Sequence, residues 1–317
     1  MITAWILYAL VVGVLIGVGA LVLEHLLRAH KLPTRWVWAG ALALSVLWPL
    51  GHLVWKYLPR GTPSIPVPDP VGVAVLEPLA VQVTRESFLR SLDGPILGAW
   101  AAATVFLLLG FIHVILRTRR IRKSWKGEQA AGRSVLFSPD TGPGVVGYLQ
   151  PQIVLPAGCR EVEEHALRLI LDHEQEHVRA GDLRLMITAG LLPILLPWHL
   201  PVWWQCRRLR LAAEGDCDLR VLRNHPGRSR AYMELLLSVG GKPPGGTALV
   251  TMLSEPEETL ARRIRIMTMP FPKKPWIRGL LLAALCGTLV AVACWAPTPS
   301  EVTEPDAETQ DVELPPP

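Results

Sequence analysis

Asp172-His173-Glu174-Gln175-Glu176-His177-Val178-Arg179-Ala180-Gly181-Asp182 decides how the rest of the chain is read. Residues four apart on a helix share a face, so His173 and His177 can aim ring nitrogens at one ion, roughly 2.0–2.1 Å from a zinc. Glu174 follows the first histidine and falls beside that ion, where a general base for an attacking water belongs. A zinc of this kind needs a third protein ligand and keeps a fourth position open. The helix is expected to start near Glu161, because Glu161, Glu163 and Glu164 suit the positive end of a helix dipole. Ala166, Ile170, His173 and His177 recur at helical spacing, which places the histidines on the inward face.

The third ligand must come from further along. Leu183–Trp204 is apolar but carries Pro193, Pro197 and Pro201, which are awkward for one straight helix because each removes a backbone donor. A helical hairpin or re-entrant element at the membrane surface fits better than a further span, with the tryptophans at headgroup level. A helix is expected to follow from near Arg207. On it Glu214 and Asp218 are four apart and can face the same way. Glu214 is the expected third zinc ligand and Asp218 the carboxylate that orients a ligand histidine, with Asp216 as the competing ligand. Asp182 can accept the free N–H of the other histidine. His165, His199 and His225 have no partner at ligand spacing and read as incidental.

Half of the 317 residues are hydrophobic and the mean hydropathy is positive, which is ordinary for a membrane protein. The net charge of +5 could suggest nucleic acid. Its lysines and arginines instead cluster beside apolar runs and read as topology signals, so no direct nucleic-acid partner is expected. The five scattered cysteines lack zinc-finger spacing and suggest reduced thiols. Ile2–Leu23, Trp36–Trp55, Pro95–Leu116 and Gly279–Trp295 are the four apolar runs that can span a bilayer. Arg117, Arg119, Arg120, Arg122, Lys123 and Lys126 follow the third run and mark that end as cytoplasmic. Alternation then puts Arg28, Lys31 and Arg35 inside and both chain termini outside.

The fold expected is mainly α: a multi-span helical membrane protein with a cytoplasmic α+β zinc metalloprotease domain. Residues 1–116 hold three spans with an external loop at about 56–93. Residues 117–275 form the cytoplasmic domain, with the membrane-associated segment at about 183–204. Residues 276–296 are the fourth span, and 297–317 form an acidic, Pro-rich, disordered external tail. Short apolar stretches Ser134–Phe137, Val145–Leu149 and Ile153–Leu155, separated by turn signals, predict a small antiparallel sheet packed on the zinc helix. A strand near the metal can also pair with an extended substrate backbone.

Several of these segments resemble the BlaR/MecR-type membrane metallopeptidases. They are the His-Glu-x-x-His stretch followed by Asp182, Pro197-Trp198-His199-x-Pro201-x-Trp203-Trp204, and Glu214-x-x-Cys217-Asp218. Ser138-Pro139, Gln150-Pro151-x-Ile153-Val154-Leu155-Pro156 and Arg262-Arg263-Ile264-Arg265 carry the same resemblance, which covers residues 1–295. It implies a gluzincin-like integral zinc endopeptidase of the bacterial inner membrane that acts on a cytoplasmic protein substrate. In well-known members an external β-lactam-binding domain triggers cleavage of a transcriptional repressor. The chain departs there, since only a short tail follows the fourth run, so a penicillin-binding sensor is not expected. Gly215 and Asp216 also differ from the small or aliphatic residues usual after the ligand glutamate. The alternatives are an HtpX-like membrane quality-control protease and a non-enzymatic membrane transducer with a structural zinc site. An intact Glu174 argues against the latter, because a structural clamp needs no general base.

Overall fold

The computed structural model describes residues 2–57, 85–139, 141–240 and 257–268, with a few helical positions between 284 and 292. Most of the fourth apolar run, the tail 297–317 and most of the loop at 56–93 lie outside the described residues. Helix α1 spans Ile2–Ala29, α2 Arg35–Tyr57 and α3 Arg85–Arg122. Helix α3 begins well before the run at Pro95, which corrects a loop drawn to Asp93. The segment Arg85–Asp93 has neither Gly nor Pro to stop a helix. By length and composition, α1 and the Leu92–Arg122 part of α3 can cross a membrane.

The two differ in their surroundings. On α1, Tyr8, Val12, Ile16 and Ala20 recur every four residues and are buried against Trp38, Ala41 and Leu42 of α2. Later helices complete this core with Ala189, Val202, Leu209 and Ala212. Close approach is made possible by small residues: a Cβ on Gly13 would stand 2.5 Å from Cε1 of His199, and one on Gly17 would stand 2.3 Å from Trp204. Gln205 crosses the same interface, donating to the Gly13 carbonyl at 2.9 Å and to Ser45 Oγ at 3.0 Å. On α3, Val105, Phe106, Leu109 and Leu116 are exposed.

Beyond α3 the chain forms β1 (Lys126–Ala130), β2 (Arg133–Ser138), β3 (Gly144–Val146) and β4 (Gln152–Pro156), in the spatial order β1-β2-β4-β3. Strand β1 is absent from the sequence reading, because Lys126 continues the basic cluster and the strand is exposed except at Ala130. It pairs with β2 through the two-residue turn Ala131-Gly132, both with positive φ, the form that matches strand twist. The sheet is mixed rather than antiparallel: β2 and β4 run parallel, while β3 returns antiparallel on the far side of β4. Strand β3 stops before the expected Leu149 because Gly147 has φ +99, and a Cβ there would lie 2.4 Å from the Gln150 carbonyl oxygen. Val135, Phe137, Ile153 and Leu155 pack from the sheet onto Ile170 and Leu171 of the next helix.

That helix, α4, runs Glu164–Ala180, three residues later than expected because a 3₁₀ turn at Ala157–Arg160 precedes it. Helix α5 (Asp182–Leu195) follows at once and α6 (Leu200–Asn224) begins after a corner at 196–199, so 183–204 is divided between two helices. Helix α6 starts seven residues before Arg207, the expected point. Pro201 sits in its first turn, where no backbone donor is needed, and His199 Nδ1 caps it by accepting from Val202 N. Helices α7 (Ser229–Gly240) and α8 (Glu257–Thr268) close over α4 and α6.

Candidate metal centre

Two helices meet at the site. Helix α4 presents His173, Glu174 and His177, and α6 presents Glu214, Cys217 and Asp218. His173 Nε2 and His177 Nε2 are 3.2 Å apart. Glu214 offers Oε2 at 3.6 Å from the first ring nitrogen and Oε1 at 3.5 Å from the second. These separations are close to the roughly 3.3–3.4 Å edge of a tetrahedron whose centre-to-ligand bonds are about 2.0–2.1 Å, so the donor set fits a zinc ion. The histidine side chains are 12% and 13% exposed while Glu214 is 28% exposed, so the set opens on the glutamate side. Glu174, on the same face one residue from His173, is buried.

A second set deserves comparison. His173, His177 and Cys217 also offer ligand atoms within 4.8 Å of one another. The Cys217 sulfur, however, lies 3.4 Å from Nδ1 of His173 and 3.3 Å from its carbonyl oxygen. That is the other side of the ring from the nitrogen facing His177, and Nδ1 already contacts Tyr232. The glutamate set therefore suits a shared ion better. Cys206 and Cys217 are free thiols.

The far nitrogens of the two rings are held differently. Gly181, left-handed at φ 69, ends α4 with its N–H on the His177 and Val178 carbonyls. The turn brings Asp182 back so that Oδ2 stands 2.8 Å from His177 Nδ1. Arg35 Nη1 reaches Oδ1 of the same carboxylate at 2.5 Å, and Arg220 Nη2 reaches Oδ2 at 3.3 Å. Asp218 stands 3.6 Å from His173 Nδ1, and a tyrosine stands between them. Tyr232 OH is 2.8 Å from that nitrogen and donates to Asp218 Oδ1 at 2.7 Å. Arg263 donates twice to Asp218, at 2.8 and 2.7 Å, and lies 3.4 Å from Glu214 Oε2.

Charge at the site follows from this crowding. Burial opposes protonation of His173, but the negative charge of an ionised Cys217 sulfur and the hydrogen bonds of Cys217 and Glu214 outweigh it and raise the ring to about 10. His177 is likewise raised well above the ordinary imidazole range, against burial, by Glu214, Cys217 and Asp182. Burial would raise Glu214, yet His177 and Arg263 hold it well below the usual carboxylate range. For Glu174 burial prevails over the attraction of both rings, and its carboxyl is raised. Taken together, the acidic groups here call for positive charge between the rings, which a divalent cation supplies.

Asp216 is not at the centre. Its carboxylate accepts from the backbone N–H of Thr34 and of Arg35 at 2.9 Å, which corrects its standing as a competing ligand. Those donors open α2 and their positive dipole end attracts the anion. His225 bonds Asp172 at 2.7 Å and His165 lies beside Arg228, both away from the ring pair. Sequence reasoning missed Tyr232, a lone aromatic with no motif around it. It also missed what Arg263 does, although that residue belongs to a noted arginine cluster.

"Regulatory protein BlaR1" of Bacillus licheniformis is 22% identical over 237 residues, 68% of this chain but only 39% of that relative. Residues 82–267 match the BlaR1 peptidase M56 family. The matched span contains the sheet, both ligand-bearing helices, Tyr232 and Arg263, and by that match this chain belongs to the BlaR1 peptidase M56 family.

Proposed function

We propose that this chain is a membrane-embedded zinc endopeptidase that cleaves a cytoplasmic protein in transmembrane signalling, with a transcriptional repressor as the substrate. The observation that carries the reading is the convergence of His173 Nε2, His177 Nε2 and the Glu214 carboxylate within 3.2–3.6 Å, with Glu174 buried beside them. His173, His177 and Glu214 would hold the ion. When bound, zinc supplies Lewis-acid polarisation of a peptide carbonyl and acidifies a water.

The chain's own residues do the rest. Glu174 takes a proton from the attacking water as its oxygen adds to the carbonyl carbon. It returns that proton to the amine nitrogen as the C–N bond breaks. Burial raises this carboxyl and so makes it a stronger base. Asp182 accepts His177 Nδ1–H, which leaves the Nε2 lone pair facing the centre. Tyr232 does the same for His173, its oxygen accepting from the ring and its hydroxyl donating to Asp218. Among the described residues strand β3 lies at the sheet edge, and its outer side is where an extended substrate segment would add as a further strand.

Sidedness has its own support. The turn carrying Lys31, Thr34 and Arg35 and the basic end of α3 adjoin the same domain: Arg223 donates to the Lys31 carbonyl, and Arg122 to Gln152 Oε1 at 2.6 Å. A cytoplasmic centre beneath two basic membrane ends, with external termini, accords with these contacts. The test is Glu174→Gln in the full chain. The variant should bind zinc as the parent does and leave the partner protein uncut; continued cleavage would refute the role given to Glu174.

A further inference from the structure

The turn between α1 and α2 lies outside the matched span yet touches the outer support of the metal centre. Thr34 is 2% exposed, and its N–H and hydroxyl both donate to Asp216 at 2.9 and 3.2 Å. The Arg35 N–H donates to the same carboxylate at 2.9 Å, and Arg223 donates to the Lys31 carbonyl at 2.6 Å. Both ties come from α6, the helix that carries Glu214. Fixed at its backbone, Arg35 then turns its side chain to α5, where its Nη1 meets Asp182 Oδ1 at 2.5 Å. The two side chains are 12% and 5% exposed.

The other oxygen of Asp182 stands 2.8 Å from His177 Nδ1. With Arg35 on Oδ1 and His177 on Oδ2, the carboxylate plane cannot rotate without losing one of them. The aim of the histidine ring thus depends on a guanidinium seated at the end of the first helix pair. Removing two charges from water is costly unless the geometry is held by further bonds, and here the holding bonds come from the turn itself.

We propose that Arg35 is a positioning residue for His177, acting through Asp182, so that the α1–α2 turn is part of the support of the metal centre. The inference rests on the zinc reading above, and the experiment separates the two. Zinc affinity of the full chain in nanodiscs is measured by competition with a chromophoric chelator, and the visible spectrum of Co(II) substituted for zinc reports the ligand geometry. Asp182→Asn should weaken zinc about 10–100-fold, the range typical of groups that orient a ligand histidine, and Arg35→Gln about 10-fold. The double variant Arg35→Gln/Asp182→Asn should be no weaker than Asp182→Asn alone, because one acts through the other. Arg35→Lys should fall between, since it keeps the charge but not the planar fork. Arg35→Gln and Arg35→Lys should both alter the Co(II) spectrum.

Parental affinity and an unchanged spectrum in Arg35→Gln would overturn the proposal, as would losses that simply add in the double variant. Should Arg35→Gln fail to fold, Arg35→Lys decides, and parental zinc affinity in it overturns the proposal. If the parent binds no zinc, or His177→Ala binds it as tightly as the parent, the metal reading itself fails and this inference falls with it. A parent that binds zinc, beside an indifferent Arg35→Gln, removes only the role of Arg35.

Discussion

The two histidines of the centre have unlike backing. His177 rests directly on a carboxylate, Asp182, which two arginines from different helices flank. His173 rests on a neutral phenol, and its carboxylate, Asp218, stands one step further out beneath the Arg263 fork. The first arrangement ties the centre to the turn between α1 and α2. The second ties it to α7 and α8, late in the chain. The contrast teaches that a ring can be aimed either by direct charge or by a relay, and that the two should fail differently. Loss of a direct carboxylate should show mainly in metal affinity, and loss of the relay's anchor mainly in folding.

The largest effect is expected at that anchor. Asp218 is fully buried and Arg263 nearly so. Asp218→Ala strands a guanidinium in the interior, at a cost of about 3–5 kcal/mol. Denaturant unfolding of the purified chain should move by that much. A shift below the cost of one ordinary hydrogen bond would mean that Arg263 finds Glu214 instead and that the relay is dispensable. Asp182→Asn comes next. Its amide can still accept from the histidine on one atom but presents N–H to one of its present donors. Its loss should appear as the weakened zinc binding given above, with a smaller change in unfolding than Asp218→Ala. If the two variants exchanged places, the direct and relayed flanks would have been assigned the wrong way round.

How much of this was open to the sequence depends on the range over which each signal acts. His173, Glu174, His177, Glu214 and Asp218 each belong to a pattern closed within one helical turn, and the structure brings all five together. Asp182 was legible for the same reason, five residues from its partner. Tyr232 was not: it meets His173 across 59 residues, and one tyrosine on an amphipathic helix looks like any other core aromatic. Asp216 stands as a competing ligand in the sequence because its spacing permits one. Only the packing of α2 shows that its oxygens are already taken. The sheet fared likewise. Short apolar stretches between turn signals marked β2, β3 and β4, but nothing local states that β2 and β4 run parallel.

Tyr232→Phe tests the relay without removing its anchor. The ring stays, so the packing of Tyr232 with Leu169, Cys217 and Val221 stays too. Only the oxygen between His173 and Asp218 is lost. The His173 N–H then keeps only the weak sulfur acceptor of Cys217 at 3.4 Å, so the cost falls toward the low end of the roughly 1–3 kcal/mol of an unpartnered buried donor, and Asp218 keeps both bonds from Arg263. The expected result is a modest loss of stability together with a change in the Co(II) spectrum, since the ring is freer to turn. A silent spectrum would show that α4 alone aims His173.

The smallest effect is expected at Arg220, and it bears on the direct flank. Arg220 lies 3.3 Å from Asp182 Oδ2 and 3.3 Å from Glu176 Oε2, with a side chain 23% exposed. Both contacts are long, and the oxygen it approaches on Asp182 is the one already bonded to His177 at 2.8 Å. A partly solvated pair of this kind is worth about 0.2–1 kcal/mol. Arg220→Gln should therefore shift unfolding within that range and leave zinc affinity close to that of the parent. Arg35, on the free oxygen at 2.5 Å, is the partner that fixes the carboxylate plane. Were Arg220→Gln to weaken zinc as much as Arg35→Gln, the net positive charge around Asp182 would matter rather than the seating of one guanidinium, and the centre's tie to the α1–α2 turn would lose its basis.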